Sequence, residues 1–129
     1  MLEVYSKDVN VASETPIPLN NVAISSCCAA KLVGSNTITL AKPGVYRVVV
    51  NAVATASSAG EVSIQLMKNG VLLPQAFSAV TAADTTSLHP LSFETFVKVG
   101  PCPCALPVSI EVINSGVASN FSVVDVLVA

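Results

Sequence analysis

Four cysteines are the residues with the most obvious capacity for chemistry in this 129-residue sequence. They occur as an adjacent pair, Cys27-Cys28, and as Cys102-Pro103-Cys104. Four thiolates are able to hold zinc, but neither pair has the CxxC spacing with which one knuckle grips a tetrahedral ion. Reduced thiols, buried or in loops, are the other interpretation, because synthesis in a cytoplasm keeps cysteines reduced. The spacing leaves both open.

The single histidine, His89, is the one residue of the type that most often serves as an acid or base near neutral pH. Nucleophilic catalysis would need it beside a serine or cysteine and a carboxylate, and no elbow or triad motif surrounds any such residue. The eight carboxylates are dispersed and form no DxDxDG calcium loop. We therefore predict neither an enzyme nor a cofactor.

Composition indicates extensive burial. Hydrophobic residues make up 52% of the chain and charged residues 11%, against about 25% charged in ordinary soluble domains. No apolar run reaches the roughly 18 residues of a membrane span, and the first eight residues lack signal-peptide features, so we expect a chain that is made and kept in a cytoplasm, without membrane insertion. A net charge of -2 disfavours nucleic acid. So much Val and Ala is typical of a subunit that hides strand faces in its neighbours.

The distribution of turn-forming residues along the chain predicts an all-β protein. Turn signals recur at short intervals and helical periodicity is absent, which is typical of a sandwich or jelly roll. The clearest element is Val62–Leu66, then Asn69-Gly70, then Val71–Pro74. Asn and Gly both tolerate positive φ, as a type I′ turn requires, so a hairpin is predicted here.

Two kinds of strand are distinguishable. Residues 62–66 and 108–112 alternate apolar with polar residues, which predicts one dry and one wet face. Residues 45–53 and 122–128 are apolar at nearly every position, which predicts cover on both sides. Each of these two strands has one charge, Arg47 or Asp125, and we expect the two charges to pair on a shared outer face, because charges buried between subunits require partners.

The segment Ile38–Val48, containing Lys42-Pro43-Gly44-Val45-Tyr46, is similar to the Pro-Gly-Val/Leu-Tyr signature of the C1q and tumour-necrosis-factor (TNF)-like jelly rolls. Residues 62–70 resemble the Asn-Gly hairpin that follows it in C1q-like domains. The resemblance covers residues 22–129, is closest to short bacteriophage and bacterial versions, and implies a two-sheet antiparallel jelly roll. It also implies a homotrimer about a threefold axis, with the inner sheet at the interface.

Carried over by position, the resemblance implies that Tyr46, Val48, Val50 and Ala52 fill the core. It implies that the residues toward the axis are Val45, Arg47, Val49, Asn51, Phe96, Val123, Asp125 and Leu127. A calcium ion on the axis would find a ligand in Asp125, although a paired or capping aspartate is the simpler interpretation. The jelly roll also brings the two cysteine segments toward one end of the sandwich, which adds a disulfide formed after release from the cell to the two alternatives above.

Residues 1–21, with Pro16 and Pro18, are interpreted as an extended arm holding one short strand near Val4, ahead of a jelly-roll domain at 22–129. These features favour a bacteriophage virion structural protein: a trimeric capsid decoration or head-fibre protein, partnered by a capsid or other virion protein. The alternative is a knob of a fibre or surface filament that binds a host-surface glycan or receptor.

Overall fold

The computed structural model describes residues 1–26, 29–101 and 107–129. Within these ranges the chain forms β-strands and no helix, which confirms the all-β prediction. The strands are β1 (Leu2–Val11), β2 (Thr15–Pro16), β3 (Asn21–Ser25), β4 (Ala30–Val33), β5 (Thr37–Leu40), β6 (Gly44–Ala56), β7 (Gly60–Lys68), β8 (Val71–Ala82), β9 (His89–Val99), β10 (Val108–Asn114) and β11 (Ser119–Val128). None of the described residues forms a helix of the length and apolarity that a bilayer crossing needs.

Two antiparallel sheets face each other. Sheet A has the order β3-β1-β11-β6-β9, and sheet B has the order β4-β5-β10-β7-β8, with the short β2 attached to β10. The connections cross repeatedly between the sheets, and the result is the jelly roll that the sequence predicts.

The core between the sheets consists of the inward residues of each strand. In β6 the buried residues Val48, Val50 and Ala52 alternate with more exposed neighbours, as the period of two in a strand requires. The core is mostly aliphatic, and Phe121 is its largest fully buried side chain. Tyr46, which was also expected in the core, is partly buried and packs against it.

The predicted hairpin joins β7 to β8. Asn69 and Gly70 have φ values of 51° and 80°, the left-handed region that a type I′ turn uses. The Asn69 side chain also accepts a hydrogen bond from the Ser109 backbone N–H at 2.8 Å, which anchors the turn to β10. The hairpin prediction is confirmed.

The first strand is longer and more central than the sequence indicates. β1 spans ten residues and lies inside sheet A, hydrogen-bonded to β11 on one side and to β3 on the other. Leu2, Val4 and Val11 are buried in the core, so this strand belongs to the sandwich and does not extend away from it. Leu2, Val4 and Ser6 point inward and alternate with the outward residues Glu3, Tyr5 and Lys7.

One buried amide closes the end of the sandwich. The side-chain Nδ2 of Asn114, at the end of β10, donates to the carbonyls of Val11 at 3.1 Å and Val117 at 3.0 Å. Its Oδ1 accepts from the Gly116 N–H at 3.1 Å. These bonds hold the β10–β11 turn against the end of β1, and a buried amide is tolerated because it is satisfied in this way.

Candidate subunit interface

The outer face of sheet A, defined by the side chains of β1, β11, β6 and β9 that point away from the core, is the candidate functional site. Strand register places its residues in rows across the sheet. One row is Glu3, Leu127, Val49, Glu94; the next is Tyr5, Asp125, Asn51, Ser92; the third is Lys7, Val123, Val53, Pro90. At one end, Arg47 lies opposite Phe96 and Val45 opposite Lys98.

All eight residues expected at a threefold axis lie on this one face. Four come from β6, Phe96 comes from β9, and three come from β11, and the antiparallel pairing brings them together. The residues that alternate with them and point inward are buried, namely Val48, Val50 and Ala52 on β6, Thr95 and Val97 on β9, and Val124, Val126 and Val128 on β11. Whether the face meets another subunit remains a prediction.

The centre of the outer face of sheet A is aliphatic. Val49, Val53, Val123 and Leu127 are each half-buried by their neighbours in the sheet and lie on two adjacent strands. At one end, Val45 and Phe96 are 64% and 62% exposed. Asp125 and Asn51 lie between the two aliphatic rows. A concentration of exposed and half-buried apolar side chains on a single chain commonly marks an interaction surface.

Arg47 makes a different ion pair from the predicted one. Its Nε donates to Glu94 Oε1 and its Nη2 to Glu94 Oε2, both at 2.9 Å, in a bidentate arrangement. The expected pairing of Arg47 with Asp125 is therefore wrong. Asp125 lies opposite Asn51, two outward positions along β6 from Arg47, whereas Glu94 lies one outward position from Phe96, the residue opposite Arg47.

The ion pair shifts the titration of both partners. Hydrogen bonds from Arg47 lower the pKa of Glu94, and the same bonds raise the pKa of Arg47. Both side chains are about half exposed, at 51% and 45%, so the pair adds little to the stability of an isolated chain. Its role on this face is to neutralise two charges beside the aliphatic centre.

Asp125 has an acidic neighbour instead of a basic one. Burial, then a hydrogen bond to Glu3, then the charge of Glu3 raise the pKa of Asp125 to about 6. The two residues are on adjacent strands and diagonal to each other, since Glu3 lies opposite Leu127 and Tyr5 lies opposite Asp125. Two carboxyl groups this close share a proton more readily than both ionise.

Beside Asp125 the face has a depression of about 420 Å³. Asn51, Ser92 and Asp125 give it polar groups, and Val53, Pro90 and Val123 form apolar walls. Its lining residues come from β6, β9 and β11, which are neighbours in sheet A.

Glu3, Val53, Pro90 and Glu94 belong to this face and were not anticipated. Glu94 was detectable, because Leu91 and Phe93 are apolar and Ser92 and Glu94 are polar, an alternation that predicts an outward Glu94. Predicting that Glu3 lies on this face would require knowing that β1 pairs with β11, and the local sequence does not indicate this pairing.

The other chemical candidates are not assembled into a site. His89 begins β9 opposite Ala54, and its Nε2 is buried without a hydrogen-bond partner among the described residues. Asp84 is bound within its own turn: it accepts hydrogen bonds from the backbone N–H groups of Ser87 at 2.9 Å and Thr86 at 3.1 Å. These bonds lower the pKa of Asp84. No cluster of three or more metal-ligating side chains occurs in residues 1–26, 29–101 and 107–129. The predictions for Cys27, Cys28, Cys102 and Cys104 fall outside the described residues.

Sequence comparison gives no relative: no protein-family model matches the chain, and no curated protein does either. Structural comparison is informative. TNF Eiger from S. frugiperda superposes with a TM-score of 0.67 at 12% identity, over 97% of this chain and 90% of that one. The PRD1 vertex protein P5 gives a TM-score of 0.59 at 12% identity, over 97% and 93%. Murine APRIL gives 0.59 at 8% identity, over 97% of each chain.

At these identities the likeness establishes the fold. The chain is a TNF-like jelly roll, and this confirms the fold class that the Pro-Gly-Val-Tyr and Asn-Gly motifs indicated.

Proposed function

We propose that this chain is a structural subunit of a bacteriophage virion, a homotrimeric jelly roll that decorates the capsid or forms a head fibre. The observation that carries the proposal is the outer face of sheet A, where aliphatic side chains occupy the centre and the Arg47–Glu94 pair neutralises charge beside them. Contact between such a face and water is unfavourable in free energy, and burial against other copies removes this contact. The implied trimer places this same sheet at its interface.

A closed ring of three needs a second, different surface on each subunit, because threefold contacts are head-to-tail. The edge strand β8 is suited to that role. Its twelve residues contain no charge, and Leu72 and Phe77 are exposed on it. Long uncharged edge strands invite pairing unless something covers them. Packing of β8 from one copy near the outer face of sheet A of the next covers both surfaces.

The virion assignment is supported by the likeness to the PRD1 vertex protein P5, which shares the fold over nearly the whole chain. The proposed action is mechanical. Three subunits locked by their apolar faces present three equivalent contacts to a capsid or other virion protein, and simultaneous contacts multiply the effective affinity. The protein is made in the host cytoplasm and functions in the particle.

A second candidate is a glycan-binding knob, and the depression beside Asp125 favours it. Asn51, Ser92 and Asp125 offer donors and acceptors of the kind that bind sugar hydroxyls. The residues that line the depression include no aromatic side chain for stacking on a sugar ring. The two candidates are also exclusive at this location, since an interface through the outer face of sheet A covers the depression.

Quantitative mass spectrometry of purified particles of the phage whose genome encodes the chain tests the virion proposal. We expect a fixed copy number that is a multiple of three. Absence of the chain from infectious particles would contradict the proposal. A glycan array probed with the intact protein tests the alternative, and sharp, saturable binding to one glycan class would favour the knob.

A further inference from the structure

The carboxyl groups of Glu3 and Asp125 lie within the outer face of sheet A, next to its aliphatic centre. Register places Glu3 beside Leu127, and Asp125 directly between Tyr5 and Asn51. These are the two acidic groups that any partner covering the centre of the face must also cover.

We propose that the Glu3–Asp125 carboxyl pair makes self-association through the outer face of sheet A proton-linked, so that assembly takes up protons and weakens as the pH rises. This inference rests on the trimer proposed above and specifies how that interface is regulated.

The surroundings of the pair supply no compensating cation. Arg47 of β6 is engaged by both oxygens of Glu94 from β9. Lys7 of β1 lies opposite Val123 and is diagonal to Asp125 on the side away from Glu3, but it is exposed and makes no ion pair with Asp125 within 4 Å. Of β11's other outward residues near Asp125, Val123 and Leu127 are uncharged, and β3 contributes no titratable side chain.

Other possible partners of Asp125 do not relieve the repulsion either. Tyr5 and Asn51, which flank Asp125, form no hydrogen bond to it in the described structure, and Lys98 lies at the far end of β9. The neighbour that acts on Asp125 is Glu3, which raises its pKa together with burial.

Assembly makes simultaneous ionisation of Glu3 and Asp125 less favourable still. Covering the face removes water from both carboxyl groups, and desolvation disfavours the doubly ionised pair more strongly than the half-protonated pair. In the half-protonated pair one carboxyl group donates a hydrogen bond to the other, which satisfies one buried donor. Each subunit that enters the assembly is therefore expected to bind a proton that the free chain has already released above pH 6.

Sedimentation velocity on dilution series of the intact chain, between pH 5.5 and pH 8, tests the inference. If each subunit takes up one proton, the concentration at half-assembly rises by about tenfold or more across this range. Asp125→Asn removes the shared proton but keeps a donor for Glu3, so it should assemble nearly as well at pH 8 as the wild-type chain does at pH 5.5. Glu3→Gln removes the same pair from β1 and should give the same flat profile.

The matched control is Glu111→Gln, which neutralises a half-buried carboxylate on sheet B and should keep the wild-type pH profile. A trimer whose half-assembly concentration is constant with pH, or an Asp125→Asn variant that keeps the pH dependence, would overturn the inference and leave the trimer intact. A single chain at every pH would overturn the proposed function and this inference together.

Discussion

The two outward faces of the sandwich differ in chemistry although the same alternation builds them. On sheet A the centre is Val49, Val53, Val123 and Leu127. On sheet B the outward residues of β5, β7 and β10 include the polar side chains Thr39, Ser63, Gln65, Ser109 and Glu111. Hydroxyl and amide groups are well solvated in water, whereas aliphatic side chains are not.

This difference indicates which side of the molecule is built to be covered. Sheet B meets its polar requirements within the chain: Ser63 Oγ lies 2.7 Å from Ser115 Oγ, and Gln65 Nε2 donates to the Leu73 carbonyl at 3.1 Å. On sheet A the aliphatic side chains on either side of Asp125 and Asn51 have no polar groups to satisfy, and they gain only from burial. Three perturbations test this contrast, and one tests the folding of the sandwich.

The largest effect is expected from a charge placed in the centre of sheet A. Val53→Arg places a guanidinium in the interface opposite Val123 and Pro90, neither of which can pair with it, at about 3 kcal/mol or more per subunit. The trimer should dissociate while circular dichroism shows a folded chain. Thr39→Arg, the equivalent change on sheet B, should keep the wild-type mass. Equal effects of the two variants on sedimentation would remove the distinction between the faces.

The second effect is on the stability of the folded chain and does not involve the outer face of either sheet. Asn114→Ala removes the buried amide that holds the β10–β11 turn, with its hydrogen bonds to the Gly116 N–H and to the Val11 and Val117 carbonyls, at about 2 kcal/mol of unfolding free energy. The matched control, Asn120→Ala, loses one exposed hydrogen bond to Asn10 and should cost far less. Denaturant unfolding measures both. Similar midpoints for the two variants would show that the turn does not depend on the amide.

The third effect is the pH dependence of the separated subunit, measured on the intact chain diluted below its half-assembly concentration. The folded-state pKa of Asp125, about 6, exceeds its ordinary value of 3.8, so the folded chain binds more protons than the unfolded chain between these values. The unfolding free energy should therefore fall as the pH rises from 4 to 6. Asp84 and Glu94 have lowered pKa values and act with the opposite sign around and below their ordinary values of 3.8 and 4.5, so the contribution of Asp125 is isolated between pH 5 and 6. Adding Asp125→Asn should flatten the profile, and an unchanged slope would refute the assignment to Asp125.

The smallest effect is expected from the Arg47–Glu94 pair. A double-mutant cycle with Arg47→Ala and Glu94→Ala should give a weak coupling in the monomeric Val53→Arg background, and added salt should reduce it further. In the trimer the coupling should be larger and less sensitive to salt, since neighbouring copies exclude water. A coupling of the same size in both backgrounds would mean that the pair stays in solvent.

The sequence was informative where local rules decide the structure. The Asn69-Gly70 turn follows from backbone sterics, and the inward set of β6 follows from the period of a strand, so both were predictable from a few residues. The contrast between the two sheets was visible for the same reason, because residues 45–53 are apolar at both parities and residues 62–66 are not.

What failed depended on which strands are neighbours. The partner of Arg47 is Glu94 because β9, and not β11, brings an acidic side chain near it. The acidic neighbour of Asp125 depends on β1 lying beside β11, and residues 2–11 are nearly as far from β11 in sequence as the chain allows. Such pairings are set by the packing of the whole sandwich, and no local pattern records them.

Sedimentation equilibrium of the native protein at micromolar concentration, with a reducing agent present, tests whether the outer face of sheet A is a trimer interface. We expect a particle with the mass of three chains. A particle with the mass of one chain, stable across the concentration range, would contradict it, because the outer face of sheet A would then be in contact with water.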